Sequence, residues 1–168
     1  MYRFFPPVVG DADTLILGTF PSTLSRAAGE YYGNPRNAFW KIIFDLFAGT
    51  NRGAPSETTR EPDYVEKLRL LRDNGVALWD VIESCEIDGA LDKNIKNPVY
   101  NAALPDFILR HEIKKVLFNG TAAYKFYRRG IGEINFEHSI LPSTSPANAS
   151  LSYAKKLAAW REALSPDR

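Results

Sequence analysis

A chain of 168 residues can bury one substantial core, and 45% hydrophobic with 24% charged residues is an ordinary balance for a globular protein. With 21 basic and 20 acidic residues the formal charge is +1, so overall charge does not by itself announce a polyanionic partner. Cys85 is the only cysteine, which excludes an intrachain disulfide and a zinc cluster built from thiolates, and the lack of a long apolar run or leader predicts an intracellular, cytoplasmic protein with no membrane span.

Thr14-Leu-Ile-Leu-Gly18 is a short apolar run that predicts a buried central strand delivering the loop Gly18-Thr-Phe-Pro-Ser22. Residues 22–34 read as a long polar connection. Pro35 fits the first turn of a helix capped by Asn34, with Phe39, Ile42, Ile43, Leu46 and Phe47 as its buried stripe and Gly49 as its stop. Thr50 to Arg60 reads as loop. Tyr64, Leu68 and Leu71 set a second amphipathic helix ending at Asn74-Gly75.

Val76 to Ile82 predicts the second strand, and the polar stretch Glu83 to Ala103 reads as one long loop, a candidate functional segment by its length. A short helix over Leu104–Arg110, a third strand over Lys115–Asn119 and a helix over Thr121–Tyr127 follow. A weaker fourth strand, Asn135–Leu141, leads into Pro142-Ser-Thr-Ser-Pro-Ala-Asn148 and a last helix over Leu151–Leu164. Strands alternating with helices predict one α/β domain, a three-layer α/β/α sandwich around a short, mainly parallel four-stranded sheet. In such sheets ligands sit beyond the carboxyl ends of the strands. Gly18–Ser22, the loop after Val81, Asn119-Gly120 and Leu141–Asn148 should therefore share one rim.

Several chemistries are poorly represented there. No phosphate loop or dinucleotide fingerprint occurs, and His111 and His138 lack the spaced partners a metal site needs. Ser143, Thr144 and Ser145 share a loop without a nucleophile elbow. What remains is neutral: the backbone after Gly18, Asn37, Asn119 and the Ser-Thr-Ser loop, with Phe20, Tyr31 and Tyr32 around them. Aromatic faces stack on a nucleobase and amides read its edge. Oriented backbone N–H groups stabilise negative charge on a base leaving its sugar without any proton transfer, and without a metal or cofactor. From Arg110 to Arg129 six basic residues face one acid, Glu112, which reads either as a solvated helix face or as a phosphate-contacting patch.

Three segments carry a family resemblance: Gly18-Thr-Phe-Pro-Ser22, Tyr31-Tyr-Gly-Asn-Pro-Arg-Asn-Ala-Phe-Trp-Lys41 and Leu141-Pro-Ser-Thr-Ser-Pro-Ala-Asn148. In this order they resemble the signature segments of the uracil-DNA glycosylase superfamily, and Val116-Leu-Phe-Asn-Gly120 fits as well. The middle segment is similar to that of mismatch-specific uracil-DNA glycosylases, with Asn34 where a His is usual. Two positions that commonly carry polar catalytic groups are apolar here, Phe20 and Leu141. That pattern resembles the hypoxanthine-DNA glycosylase branch, which relies on the Asn of the Pro-Arg-Asn segment. The resemblance implies a monomeric base-excision enzyme with DNA as partner and Asn37 as catalytic group. Gly18, Thr19, Phe20, Pro21, Tyr31 and Asn119 would bind the flipped base; Ser22, Ser143, Thr144, Ser145, Pro146 and Asn148 would hold DNA. Residue by residue, plainer readings stand beside these. Asn37 could bond its own helix turn, Phe20 could be core, Asn119 a turn residue, and Ser143 and Ser145 caps. A silent DNA-binding module and a hydrolase of free nucleosides are the other function classes this sequence allows.

Overall fold

The computed structural model describes residues 1–48, 61–89 and 91–165; the predicted Gly49 stop and the Thr50–Arg60 loop lie outside them. Four parallel strands form the central sheet: β2 (Thr14–Gly18), β3 (Val76–Asp80), β6 (Lys115–Asn119) and β7 (Glu137–Leu141), in the order β3-β2-β6-β7. Side chains alternate across it, as the two-residue strand period requires. Ile16, Leu78 and Leu117 enter one core with α2 (Phe39–Phe47), α3 (Tyr64–Asp73) and α6 (Tyr153–Leu164). Leu15, Leu17, Trp79, Val116 and Phe118 enter the other with α4 (Leu104–Arg110) and α5 (Thr121–Gly130). Helices thus cover both faces, which explains why these strands read as unbroken apolar runs. The expected three layers are present.

Three local expectations are corrected. The segment Glu83–Ala103 is not a loop: β4 (Ile82–Ile87) and β5 (Ile95–Tyr100) pair antiparallel, with β1 (Tyr2–Arg3) on the outer edge of β4. Its exposed polar residues hid the strands, because only one face of this small sheet is covered. Asn101 stitches the hairpin back, its Nδ2 donating to the Asp80 carbonyl at 3.0 Å and its backbone N–H to the Val81 carbonyl at 2.8 Å. Within the stretch read as a polar connection, α1 (Thr23–Ala28) forms, capped by Ser22 and closed by Gly29 at φ 68°.

The third correction matters most for the site. Asn34 does not cap α2. The Asn37 N–H donates to the Asn34 carbonyl at 2.9 Å, closing a turn with Pro35 at its first corner, and the helix begins at Phe39. The Pro that suits a helix start suits this turn equally, and the turn leaves Asn37 outside the helix. Beyond it, Phe39 stacks on Tyr32 with ring centroids 3.9 Å apart, and the Trp40 Nε1–H donates to the Tyr31 carbonyl at 2.8 Å. Tyr32 holds φ 52°, a conformation unusual for a non-glycine residue, at this bend.

Candidate active site

The carboxyl ends of β2, β3 and β6 and the loop after β7 meet in one pocket. Gly18, Thr19, Phe20, Pro21 and Ser22 line it from β2, Asn119 from β6, and Ser143, Thr144 and Ser145 from the loop after β7; Tyr31, Tyr32 and Asn37 come from the turn before α2. A second cleft opens beside it, lined by Ser22, Arg36, Asn37, Ser145 and Pro146 among others. Ser22, Asn37 and Ser145 border both.

The first loop is rigid because the strand beside it holds it. The Val81 and Ile82 N–H groups donate to the carbonyls of Gly18 and Thr19 at 3.0 and 3.1 Å. Gly18 is required by space: a Cβ there would lie 2.6 Å from Asp80 Oδ1 and 2.9 Å from the Tyr32 hydroxyl. The Thr19 hydroxyl donates to Asp92 Oδ2 at 3.2 Å, so any contact from Thr19 to a ligand falls to its backbone. The Pro21 carbonyl accepts from Arg26 at 2.8 Å, and the same guanidinium lies over the Tyr2 and Phe20 rings, 4.2 and 5.7 Å from their centroids. Phe20 is only partly buried and presents its ring at the pocket wall.

Asn37 is used by half. Its Oδ1 accepts the Phe39 N–H at 2.9 Å, the local bond expected of an Asn in front of a helix. That bond occupies Oδ1, and Nδ2, a donor, has no hydrogen-bond partner among the described residues at the pocket that Asn37 lines. The local bond of the plain reading is present, and it uses one end of the amide.

Asn119 is different. Its Nδ2 donates to Thr144 Oγ1 at 2.9 Å and its Oδ1 accepts the Thr144 N–H at 3.0 Å, both buried. The expected base-edge contact is corrected on this point: the amide is a strut that pins the loop after β7. The Thr144 carbonyl in turn accepts the Ala38 N–H at 3.0 Å, tying that loop to the start of α2. Thr144 is likewise 1% exposed, so it supports the loop from within.

Tyr31 is also corrected. It is 3% exposed, its hydroxyl donates to the Pro6 carbonyl at 3.0 Å, and its ring packs edge-on against Phe5. Packed this way it backs the pocket from the core, without an open face for a base to stack on. Burial of both Tyr31 and Tyr32 pushes the phenols well above the usual range, so they stay neutral. Leu141, at the end of β7, is buried in the core with α2 and α6.

The serine loop is built from nested turns. The Ser145 N–H donates to Ser143 Oγ and the Ala147 N–H to Ser145 Oγ, each at 3.2 Å, while Asn148 Nδ2 donates to the Ser143 carbonyl at 3.2 Å. Each serine oxygen accepts one bond, which leaves its O–H free to donate outward. Pro146 and Ala147 are exposed at the tip. Ser22 caps α1, its Oγ accepting the Ser25 N–H at 3.2 Å. Gly120, at φ 96°, passes so close to Ser143 that a Cβ would meet that side chain at 3.0 Å.

Three pocket residues escaped the sequence reading: Ser25, in α1, and the acids Asp80 and Asp92. Asp80 ends β3, is 4% exposed, and its Oδ2 has no hydrogen-bond partner. Burial, and then the nearby Asp92, push its carboxyl up to about 7. Asp92, in a single 3-10 turn (Asp92–Asn94) of the hairpin, is also held above the usual carboxylate range by burial, partly offset by the Thr19 hydroxyl. An acid closing an otherwise apolar strand at its carboxyl end was the available signal for Asp80. Asp92 lay in the segment read as loop and carried none.

The basic stretch is not beside this pocket. Lys115 begins β6, at the end of the sheet opposite Asn119, and Arg128 and Arg129 lie in the last turn of α5. Arg110 pairs with Asp106, and Arg128 with Glu133 at 3.3 Å. At the pocket side, Arg36 is an exposed cation that lines the second cleft. No helix among the described residues is long and apolar enough to cross a membrane.

Comparison with known proteins agrees with this geometry. The family model for the uracil DNA glycosylase superfamily matches residues 6–165. A Methanosarcina acetivorans protein named hypoxanthine DNA glycosylase is 33% identical over 155 residues, covering 89% of this chain and 90% of its own. Its namesake from Methanosarcina barkeri is 32% identical over 164 residues, with 95% of each chain covered. The solution NMR structure of a Methanosarcina acetivorans protein described as a uracil DNA glycosylase superposes with a TM-score of 0.71 at 30% identity, covering 95% of this chain and 96% of the other.

Proposed function

The chain belongs to the uracil-DNA glycosylase superfamily and is a DNA glycosylase; from that premise we propose that hypoxanthine is the base it removes, in base excision repair, leaving an abasic site. The observation that supports this reading is the amide of Asn37, bonded through Oδ1 to the start of α2 while its residue lines a pocket of backbone and polar groups. Its two relatives named hypoxanthine DNA glycosylase support the same choice of base.

In the mechanism, phosphates are held by the free O–H groups of Ser143 and Ser145, with Ser22, Arg36 and Asn148 alongside, and the Pro146-Ala147 tip enters the gap left in the duplex. The flipped purine stacks on Phe20. The backbone of Thr19 and Phe20 takes its exocyclic oxygen. Asn37 donates from Nδ2 to the departing base, where negative charge grows as the C1′–N9 bond lengthens, so the contact strengthens in the transition state. Water then adds to C1′. No cofactor is required, and the enzyme works as a monomer on DNA inside the cell.

Duplexes carrying hypoxanthine, uracil or ethenocytosine, treated with excess protein and then with alkali, test the reading. Strand breaks at hypoxanthine are expected. No break at hypoxanthine, with breaks at either other base, would reassign the substrate; binding without any break would make the protein a silent module.

A further inference from the structure

Asp80 is the one buried acid of the pocket that the mechanism above leaves without a task. Its surroundings are uniform in character. From the 3-10 turn comes Asp92, a second acid; from the turn before α2 come Tyr31 and Tyr32; from α3 comes the Tyr64 hydroxyl. All three phenols are held in the neutral form by burial. Among the described residues no cation and no N–H or O–H donor reaches the Asp80 side chain, and its Oδ2 is closed off without a partner. An ionised carboxylate wants several donors, and here it has none. A protonated one carries its own donor and suits the place.

Its position adds the second half. Asp80 lines the pocket from the end of β3, and Gly18, first residue of the base-holding loop, lies directly against Asp80 Oδ1. The loop Gly18–Phe20 and the Asp80 carboxyl therefore face one edge of whatever fills the pocket. In hypoxanthine, O6 and N7 share an edge, both acceptors.

Resting on the hypoxanthine reading, we propose that Asp80 is a second catalytic group, a general acid that donates its proton to N7 of the flipped base. As the C1′–N9 bond breaks, its electron pair leaves with the base. The Asp80 proton passes to N7, so the base departs as the neutral N7–H tautomer and Asp80 is left as the carboxylate. Water gives its hydroxyl to C1′, and its remaining proton returns through solvent to Asp80 once the base has gone. Purine, water, proton and charge balance without any further reactant. Burial keeps the acid protonated at rest, with like-charge repulsion from Asp92 adding to it, and the Thr19 hydroxyl keeps Asp92 oriented.

Single-turnover excision by the full chain on a hypoxanthine duplex, from pH 5.5 to 9, tests this. The wild-type rate should fall as pH rises above about 7, approaching about tenfold per unit. Asp80→Ala should lose about a hundredfold to a thousandfold at pH 6.5. Asp80→Asn keeps a donor but cannot ionise, so it should retain part of the rate and lose the fall above neutrality. A 7-deazahypoxanthine duplex removes the acceptor: wild type should lose most of its rate, and Asp80→Ala should treat the two duplexes alike.

A thermal readout is independent of turnover. An unfolded Asp titrates near 4 and the folded one at about 7, so between these values the unfolded state binds fewer protons and stability falls as pH rises. Asp80→Asn should therefore melt above wild type at pH 8, with the gap closing at pH 5. A wild-type rate that rises through pH 7, or an Asp80→Ala protein that melts normally and excises at the wild-type rate, overturns the assignment alone. Wild type inert on hypoxanthine overturns the substrate reading and this role with it.

Discussion

The two rims of the central sheet make an instructive contrast. At the carboxyl ends of the strands sit amides, hydroxyls, two acids and an aromatic ring. At the amino ends lie Lys114, Lys115, Asp13 and Glu137 beside a cleft of mixed charge. The rim where relatives of this fold do chemistry is nearly free of cations, and the most basic stretch of the chain falls elsewhere. Charge density in a sequence is thus a poor pointer to a site in which the bond to be broken needs oriented neutral donors.

The contrast is sharpened most by Asn37. Asn37→Ala should reduce single-turnover base release by about two to four orders of magnitude. Asn37→Asp is the cleaner probe, since it keeps an oxygen for the Phe39 N–H while removing the Nδ2 donor. It should melt near wild type yet lose comparable activity; wild-type activity in that variant would reduce Asn37 to a helix cap.

Gly18→Ala comes next. A methyl group placed against Asp80 and the Tyr32 hydroxyl should cost about 1–3 kcal/mol of stability and narrow the pocket, seen as a raised half-saturating DNA concentration for excision. Asn119→Ala removes both buried bonds to Thr144 and should destabilise by about 1–3 kcal/mol in urea unfolding, with activity lost in proportion to the loosened loop.

Smallest are the effects of the three cations that set the rims apart. Arg36→Ala should weaken DNA binding alike for all sequences and reduce the salt slope by about 1. Lys114→Ala with Lys115→Ala at the far rim should leave that slope unchanged. A slope that drops for the lysine pair and not for Arg36 would put the DNA on the other side of the molecule.

Much of the scaffold was legible because a sheet buried on both faces imposes unbroken apolar strands, and Thr14–Gly18 and Lys115–Asn119 came out with the predicted bounds. The hairpin was not legible. β5 runs Ile-Lys-Asn-Pro-Val-Tyr, with none of these residues fully buried, and its pairing with β4 is a long-range fact that local composition does not carry. The gathering of residues at one rim followed from topology alone. How each amide is bonded once there did not, because Asn37 and Asn119 are the same residue type, and only their partners separate an amide bonded at one end from a strut bonded at both.

One peptide-group bond described above has a mechanical meaning. The Ala38 N–H to Thr144 carbonyl bond joins the segment carrying Asn37 to the loop carrying Pro146, and Asn119 and Trp160, through the Pro142 carbonyl, brace that loop from behind. In the proposed mechanism, force on a tip entering the duplex would pass along this bond to the residue beside Asn37. Insertion and alignment would then be one stroke: a duplex too stiff to admit the tip would also leave Asn37 without a base in place, and the ease with which a lesion opens would act as a first filter.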